Sequence, residues 1–139
     1  MGPEGRRRAE DRPEVRAAGS KRLPYLLILE RLLRAVAGAH AALLLDAYGE
    51  VVVEAGAKDM RHRLIGAYQG IAFATARRAA ERHEVGAIDQ FCCRYAQGTV
   101  TLTALKDDYY LIVSLAPEAS LAHCLWHSAL ARDELNAEL

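Results

Sequence analysis

Apolar positions in this chain recur with two periods. Between Leu23 and Val36, residues Leu26, Leu29, Leu33 and Val36 fall three or four apart, the spacing of one helix face. Pro24 suits the first turn of that helix, Glu30 pairs with Arg34 one turn on, and Gly38 marks its end. From Ala39 to Ala55 the pattern changes. Leu43-Leu44-Leu45 and Val51-Val52-Val53 are apolar on consecutive residues, on either side of Asp46-Ala47-Tyr48-Gly49. Asp46 can accept from the backbone two residues on, and Gly49 tolerates positive φ, so these four predict a hairpin turn. Consecutive strand residues point to opposite faces, so this hairpin needs cover on both sides.

A long helix is predicted over Asp59–His83. Its middle, Leu64 to Ala76, contains no charged residue. Leu64, Tyr68, Ile71 and Thr75 line one face, and Ile65, Gln69, Phe73 and Ala76 line another. One face packs on a sheet; the second is too apolar for water and predicts a partner. Gly66 and Gly70 lie one turn apart. Each costs about 1 kcal/mol against Ala in a helix, a cost that close approach by another helix would offset. Three strands follow, Ala87–Tyr95, Thr99–Leu105 and Tyr109–Leu115, with turns at Gln97-Gly98 and Lys106-Asp107-Asp108. The middle strand alternates, Val100, Leu102 and Ala104 against Thr99, Thr101 and Thr103. Ala87–Tyr95 carries Asp89, Gln90 and Arg94 and predicts an accessible edge. A last helix is predicted from Pro117, with Glu118 in its first turn and Leu121, Cys124, Leu125, Leu130 and Leu135 facing the sheet.

The fold class is therefore α/β: three layers, α/β/α, around a five-stranded antiparallel sheet in the chain order α-β-β-α-β-β-β-α. Residues 1–22 hold Arg6-Arg7-Arg8, Pro3 and Pro13 without apolar periodicity and read as a disordered basic leader. Residues 23–139 form one domain, as expected at this length. The 18 Lys and Arg balance 18 Asp and Glu, so net charge points to neither nucleic acid nor an anionic membrane. No apolar run is long enough to span a bilayer, and the N-terminus lacks a secretory h-region. Three cysteines, Cys92, Cys93 and Cys124, show no framework spacing and read as reduced thiols of a cytoplasmic protein.

This order of elements resembles the Roadblock family: the dynein light chains and bacterial GTPase-regulator domains related to longins. The resemblance is carried by Leu43 to Val52, an apolar run followed by Asp, two residues, Gly, one further residue and a second apolar run. The small-residue helix after it and Asp108-Tyr109-Tyr110-Leu111-Ile112-Val113 carry it further. It covers Leu23 to about Leu135. The resemblance implies a cytoplasmic dimer joined edge to edge through the third strand, with the central helices side by side as a platform for a small Ras-like GTPase. On that basis the homodimer interface is expected at Leu64, Ile65, Gly66, Gln69, Gly70, Phe73, Ala76, Ile88, Gln90, Cys92 and Arg94. The GTPase is expected at Arg61, Arg63, Tyr68, Arg77 and Arg78, of which the arginines otherwise simply solvate the helix ends. The basic leader departs from the compact light-chain members.

No residue set argues for an enzyme, and neither a cofactor nor a metal is expected. His123 and His127 stand at i,i+4, a spacing that can bind zinc, but no acidic third ligand accompanies them. Cys92 and Cys93 are strand neighbours on opposite faces and do not form C-x-x-C. Both phosphate-binding glycine motifs are missing, G-x-x-x-x-G-K-[ST] and G-x-G-x-x-G, so the chain does not itself look like a nucleotide hydrolase. The expected function is a non-catalytic dimeric regulator or scaffold for a small Ras-like GTPase. The alternative is a scaffold or small-molecule sensor of profilin or longin type, for which a closed apolar pocket is expected.

Overall fold

The computed structural model describes residues 22–139, leaving out the side chains of Met60, Arg63 and Leu64. The expected leader therefore lies outside the described residues, apart from Arg22, which opens the first helix. In chain order the elements are α1 (Arg22–Ala35), β1 (Ala39–Leu45), β2 (Val51–Gly56), α2 (Met60–Arg82), β3 (Gln90–Tyr95), β4 (Gly98–Ala104), β5 (Tyr110–Leu115) and α3 (Leu121–Glu138). The strands form one antiparallel sheet in the order β2-β1-β5-β4-β3. The expected fold class is observed.

The first hairpin forms as its residues require. Asp46 Oδ1 accepts from the backbone N–H groups of Tyr48 at 2.9 Å and Glu50 at 3.0 Å, and Gly49 takes φ of 81°. With the turn fixed, Leu44 pairs with Val53 and, on the other side, with Leu111. Successive side chains then enter different cores. Ala42, Leu44, Leu111 and Val113 lie under α1 and α3, where Leu29, Leu32 and Leu135 meet them. Leu43, Leu45, Tyr110 and Ile112 lie under α2 with Phe73, Val100 and Leu102. Burying each large apolar side chain contributes about 1.5–3 kcal/mol, so runs of three apolar residues demand helices on both faces. The threonine row of β4 goes to the α3 side. There Thr101 Oγ1 lies 3.6 Å from Cys124 Sγ, and neither hydroxyl nor thiol is left alone in the core.

Two boundaries differ from expectation. Residues 87–89 are not strand, although Ala104 N–H still donates to the carbonyl of Asp89 at 2.8 Å. The last helix begins at Leu121, not Pro117. Pro117 and Glu118 form a turn instead, closed by Ala119 N–H on the Ala116 carbonyl, and Ser120 caps the helix by accepting from His123 N–H at 3.1 Å. The buried stripe of α3 is Cys124, Ser128, Ala131 and Leu135, while Leu121 and Leu125 are half-buried and Leu130 faces outward with Trp126. Five residues separate Leu125 from Leu130, a 140° turn about the helix axis, so the two cannot share one face.

Candidate functional site

The sheet ends at β3, and its outer edge is unpaired among the described residues. The β3–β4 hairpin turns through Ala96 and Gln97, with Tyr95 opposite Gly98. A two-residue turn makes that closing pair hydrogen-bonded, and the ladder then alternates. The Ala104-to-Asp89 bond falls in the same phase. Phe91, Cys93 and Tyr95 thus spend their backbone groups on β4. Gln90, Cys92 and Arg94 turn theirs to the open edge. The side chains of Cys92 and Arg94 are exposed as well, whereas Gln90 Nε2 donates to the Leu125 carbonyl at 3.0 Å and ties β3 to α3.

Helix α2 lies beside this edge. Asp59 caps it, Oδ1 accepting from Arg61 N–H at 2.9 Å; that bond is the main reason its carboxyl is held below the usual carboxylate range. The glycines of α2 lie against the chain's own sheet. A Cβ on Gly66 would stand 2.8 Å from Ile112 Cδ1, and one on Gly70 would stand 3.0 Å from Tyr110 Cζ. Phe73, 1% exposed, fills the layer between them and packs on the rings of Phe91 and Tyr110 at 5.9 and 6.3 Å.

This reverses the expected assignment of faces. The face with Gly66, Gly70 and Phe73, expected to meet a partner, is the one that packs on the sheet. Ile65 and Ile88 are half-buried against the same core, and Ala76 is half-buried. Gln69 turns toward β3, where its amide bonds the Tyr95 hydroxyl and accepts from Cys93 Sγ at 2.9 Å. The open apolar face is the other one: Tyr68 at 69% and Ile71 at 66% exposure, with Thr75, whose hydroxyl returns to the Ile71 carbonyl at 3.0 Å. The side chain of Leu64 lies outside the described residues. The uncharged bare surface is therefore present, one flank away from where the glycines placed it.

The cations separate into committed and open groups. Arg77 is committed: it pairs with Asp108 at 3.0 Å, and its guanidinium sits 5.1 Å over the Phe73 ring. Arg78 is exposed, with one long bond to Thr75 Oγ1 at 3.4 Å. Arg61 is exposed at the far end of α2, in a loose pair with Asp59 at 3.4 Å; the side chain of Arg63 is not described. Between α2 and the β1–β2 turn runs a groove of about 550 Å³ lined by Ile71, Arg78, Gly70, Asp108 and Tyr48. Tyr48, 87% exposed, and Asp108 are absent from the site residues expected from the sequence, which places both in turns. The turn position of Tyr48 was the one signal that it would stand clear of the core.

His123 and His127 approach to 2.9 Å between their Nε2 atoms. Among the described residues no three His, Cys, Asp or Glu side chains gather as a metal site, and no helix is long and apolar enough to cross a membrane.

No protein-family model and no curated protein matches the sequence. Solved structures do. A Roadblock/LC7 domain from Streptomyces avermitilis superposes with a TM-score of 0.73 at 18% identity, covering 80% of this chain and 93% of that one. Myxococcus xanthus MglB gives 0.74 at 18%, covering 83% and 86%. The gliding protein MglB of Thermus thermophilus gives 0.73 at 18%, covering 83% and 87%. At such identities likeness speaks for architecture, and the architecture is unambiguous: this chain has the Roadblock/LC7 fold.

Proposed function

We propose that the chain is a dimeric, non-catalytic regulator or scaffold that binds a small Ras-like GTPase in the cytoplasm and biases its nucleotide cycle. The observation that carries this reading is the presence in one molecule of two unfinished surfaces, the open edge of β3 and the charge-free outer face of α2 at Tyr68, Ile71 and Thr75. Edge-to-edge pairing about a two-fold axis would satisfy the backbone groups of Gln90, Cys92 and Arg94. The same axis would bring the two α2 helices side by side. MglB, one of the similar structures, also occurs in a tetrameric arrangement, which is consistent with self-association in this fold.

The GTPase half of the proposal rests on the family resemblance and on what α2 leaves outside. Arg78 and Tyr48 stand open at the groove beside the hairpin, Tyr68 on the exposed face of α2, and Arg61 at the helix's other end. Arg77 is withdrawn from the contact set because Asp108 and Phe73 hold it. Regulation requires only that this surface bind one switch conformation more tightly than the other, since a ligand shifts an equilibrium by its differential affinity.

Two measurements test the reading. Light scattering after gel filtration should give a dimer for the wild type and a monomer for Cys92→Pro, whose lost N–H faces the open edge and leaves the β3–β4 ladder intact. Ile71→Asp tests separately whether the outer face of α2 takes part in that contact. Gel filtration with small Ras-like GTPases from the source genome, loaded with GDP or a GTP analogue, should show complex formation in one nucleotide state. Equal absence in both states removes the GTPase assignment, and a wild-type monomer at high concentration removes the dimer.

A further inference from the structure

A second cavity, of about 710 Å³, opens at the N-terminal end of α2, away from the groove beside the hairpin. Its floor is apolar: Val100 from β4 and Ile65 from α2, beside Ala57. The β3–β4 turn, Tyr95 to Gly98, forms one wall. The basic groups of the lining are two imidazoles and one guanidinium. His62 comes from the first turn of α2, with Nδ1 3.2 Å from the Oγ of buried Ser114, so the ring is oriented and Nε2 has no partner among the described residues. Arg61 stands beside it, its guanidinium in only an exposed, long pair with Asp59. His40, at the start of β1, adds a second imidazole. Asp59 is the single acid of the lining, and it is occupied with capping the helix.

The size lies within the 300–1,000 Å³ of ordinary small-molecule sites, and the division into apolar floor and convergent polar groups is their usual anatomy. The cavity is neither closed nor wholly apolar, so it does not suit a neutral lipid-like guest. We infer that it binds a small amphipathic anion: a flat apolar body on Val100 and Ile65, and one carboxylate, sulfonate or phosphate head between Arg61 and His62. The Ser114–His62 contact positions the imidazole, and the exposed pair with Asp59 exchanges for the ligand at little cost, because such surface pairs contribute little stability. This inference shares only Arg61 with the GTPase reading, and it uses neither the β3 edge nor the outer face of α2.

Two probes with nearly the same aromatic body test it, 8-anilinonaphthalene-1-sulfonate and the uncharged N-phenyl-1-naphthylamine. Fluorescence titration of the full chain should show the sulfonate binding at least tenfold more tightly than the neutral probe. Arg61→Ala should weaken the sulfonate about tenfold, by loss of a charge-assisted contact, and leave the neutral probe within about twofold. Ala96→Trp, in the exposed turn, should narrow the mouth and weaken both. Amide spectra verify that each variant is folded and locate the probe: shifts at Gly98, Val100 and Ser114 support the site. Equal affinity for the two probes, indifference of the sulfonate to Arg61→Ala, or shifts confined to Tyr68 and Ile71 would each overturn it.

Discussion

The replacement Gly70→Ala separates two explanations for a glycine in the middle of α2. On helix propensity alone it stabilises by about 1 kcal/mol. In the structure the new methyl meets the Tyr110 ring, 3.0 Å from Cζ and 3.3 Å from Cε2, with the hydroxyl closer still. Tyr110 cannot swing aside. It is buried, sits in β5 between β1 and β4, and packs edge-on against Phe73. Overpacking of this kind costs about 1–3 kcal/mol, so the net expectation is a loss of about 1 kcal/mol. Gly66→Ala is the matched comparison. Its methyl meets only Ile112 Cδ1 at 2.8 Å, the far end of a flexible side chain, and the propensity gain should roughly cancel the strain or exceed it. Urea unfolding at two protein concentrations, with a Gly70→Ala/Tyr110→Phe cycle, measures both. The cycle should show favourable coupling of about 1 kcal/mol, and the Gly70→Ala loss should not change with concentration. A gain in stability with no coupling to Tyr110 would refute the packing argument. A loss that scales with protein concentration would return the glycine to an interface between copies.

Three further outcomes are expected. Ser120→Ala should destabilise the fold by about 1 kcal/mol in the same unfolding assay, since its hydroxyl caps α3 through His123 N–H, whereas Glu118→Gln should be nearly neutral because Glu118 lies before the helix. A thiol reagent at neutral pH should modify exposed Cys92 first, then Cys93, and should reach Cys124 only on unfolding, since burial raises the Cys124 pKa and withholds the thiolate. The Asp59 pKa is lowered, chiefly by the Arg61 N–H, so its contribution is complete above the unfolded carboxylate pKa and is lost as pH falls through the folded one. Protection of the Arg61 amide, relative to its intrinsic exchange rate, should fall over that acidic window in the wild type and be low throughout in Asp59→Ala.

The parts of the fold that were legible in the sequence are those where one residue type leaves the backbone few options. Asp46 and Gly49 permit one kind of turn, and the paired runs Leu43–Leu45 and Val51–Val53 admit only a strand pair covered on both sides. The sheet's open border was legible too, because Arg94 and Gln90 have no place in a central strand. The start of α3 was not. Pro117 and Glu118 satisfy the preferences of a first helical turn, yet Ser120, three residues on, satisfies them better by supplying an actual acceptor for His123. The inward face of α3 was obscured for a related reason. Alanines and leucines surround that helix, so apolar character does not distinguish Leu130 from Leu135.

Helix α2 shows what periodicity cannot decide. Its two candidate faces are equally free of charge, and counting apolar residues favours neither. What decides between them is the depth of the sheet beneath. Tyr110 and Ile112 rise from β5 directly under the helix, and only a face carrying glycines at one-turn spacing can settle over side chains of that size. Phe73 then fills the space about one turn beyond Gly70, between the rings of Phe91 and Tyr110. The small residues are a response to bulk within the same chain. Tyr68 and Ile71 are exposed as a consequence, because a helix seated on its glycines must turn its larger apolar residues outward. The partner inferred from α2 therefore meets side chains with area to bury, Tyr68 and Ile71. That makes the contact sensitive to Ile71→Asp and leaves it insensitive to enlargement at Gly66.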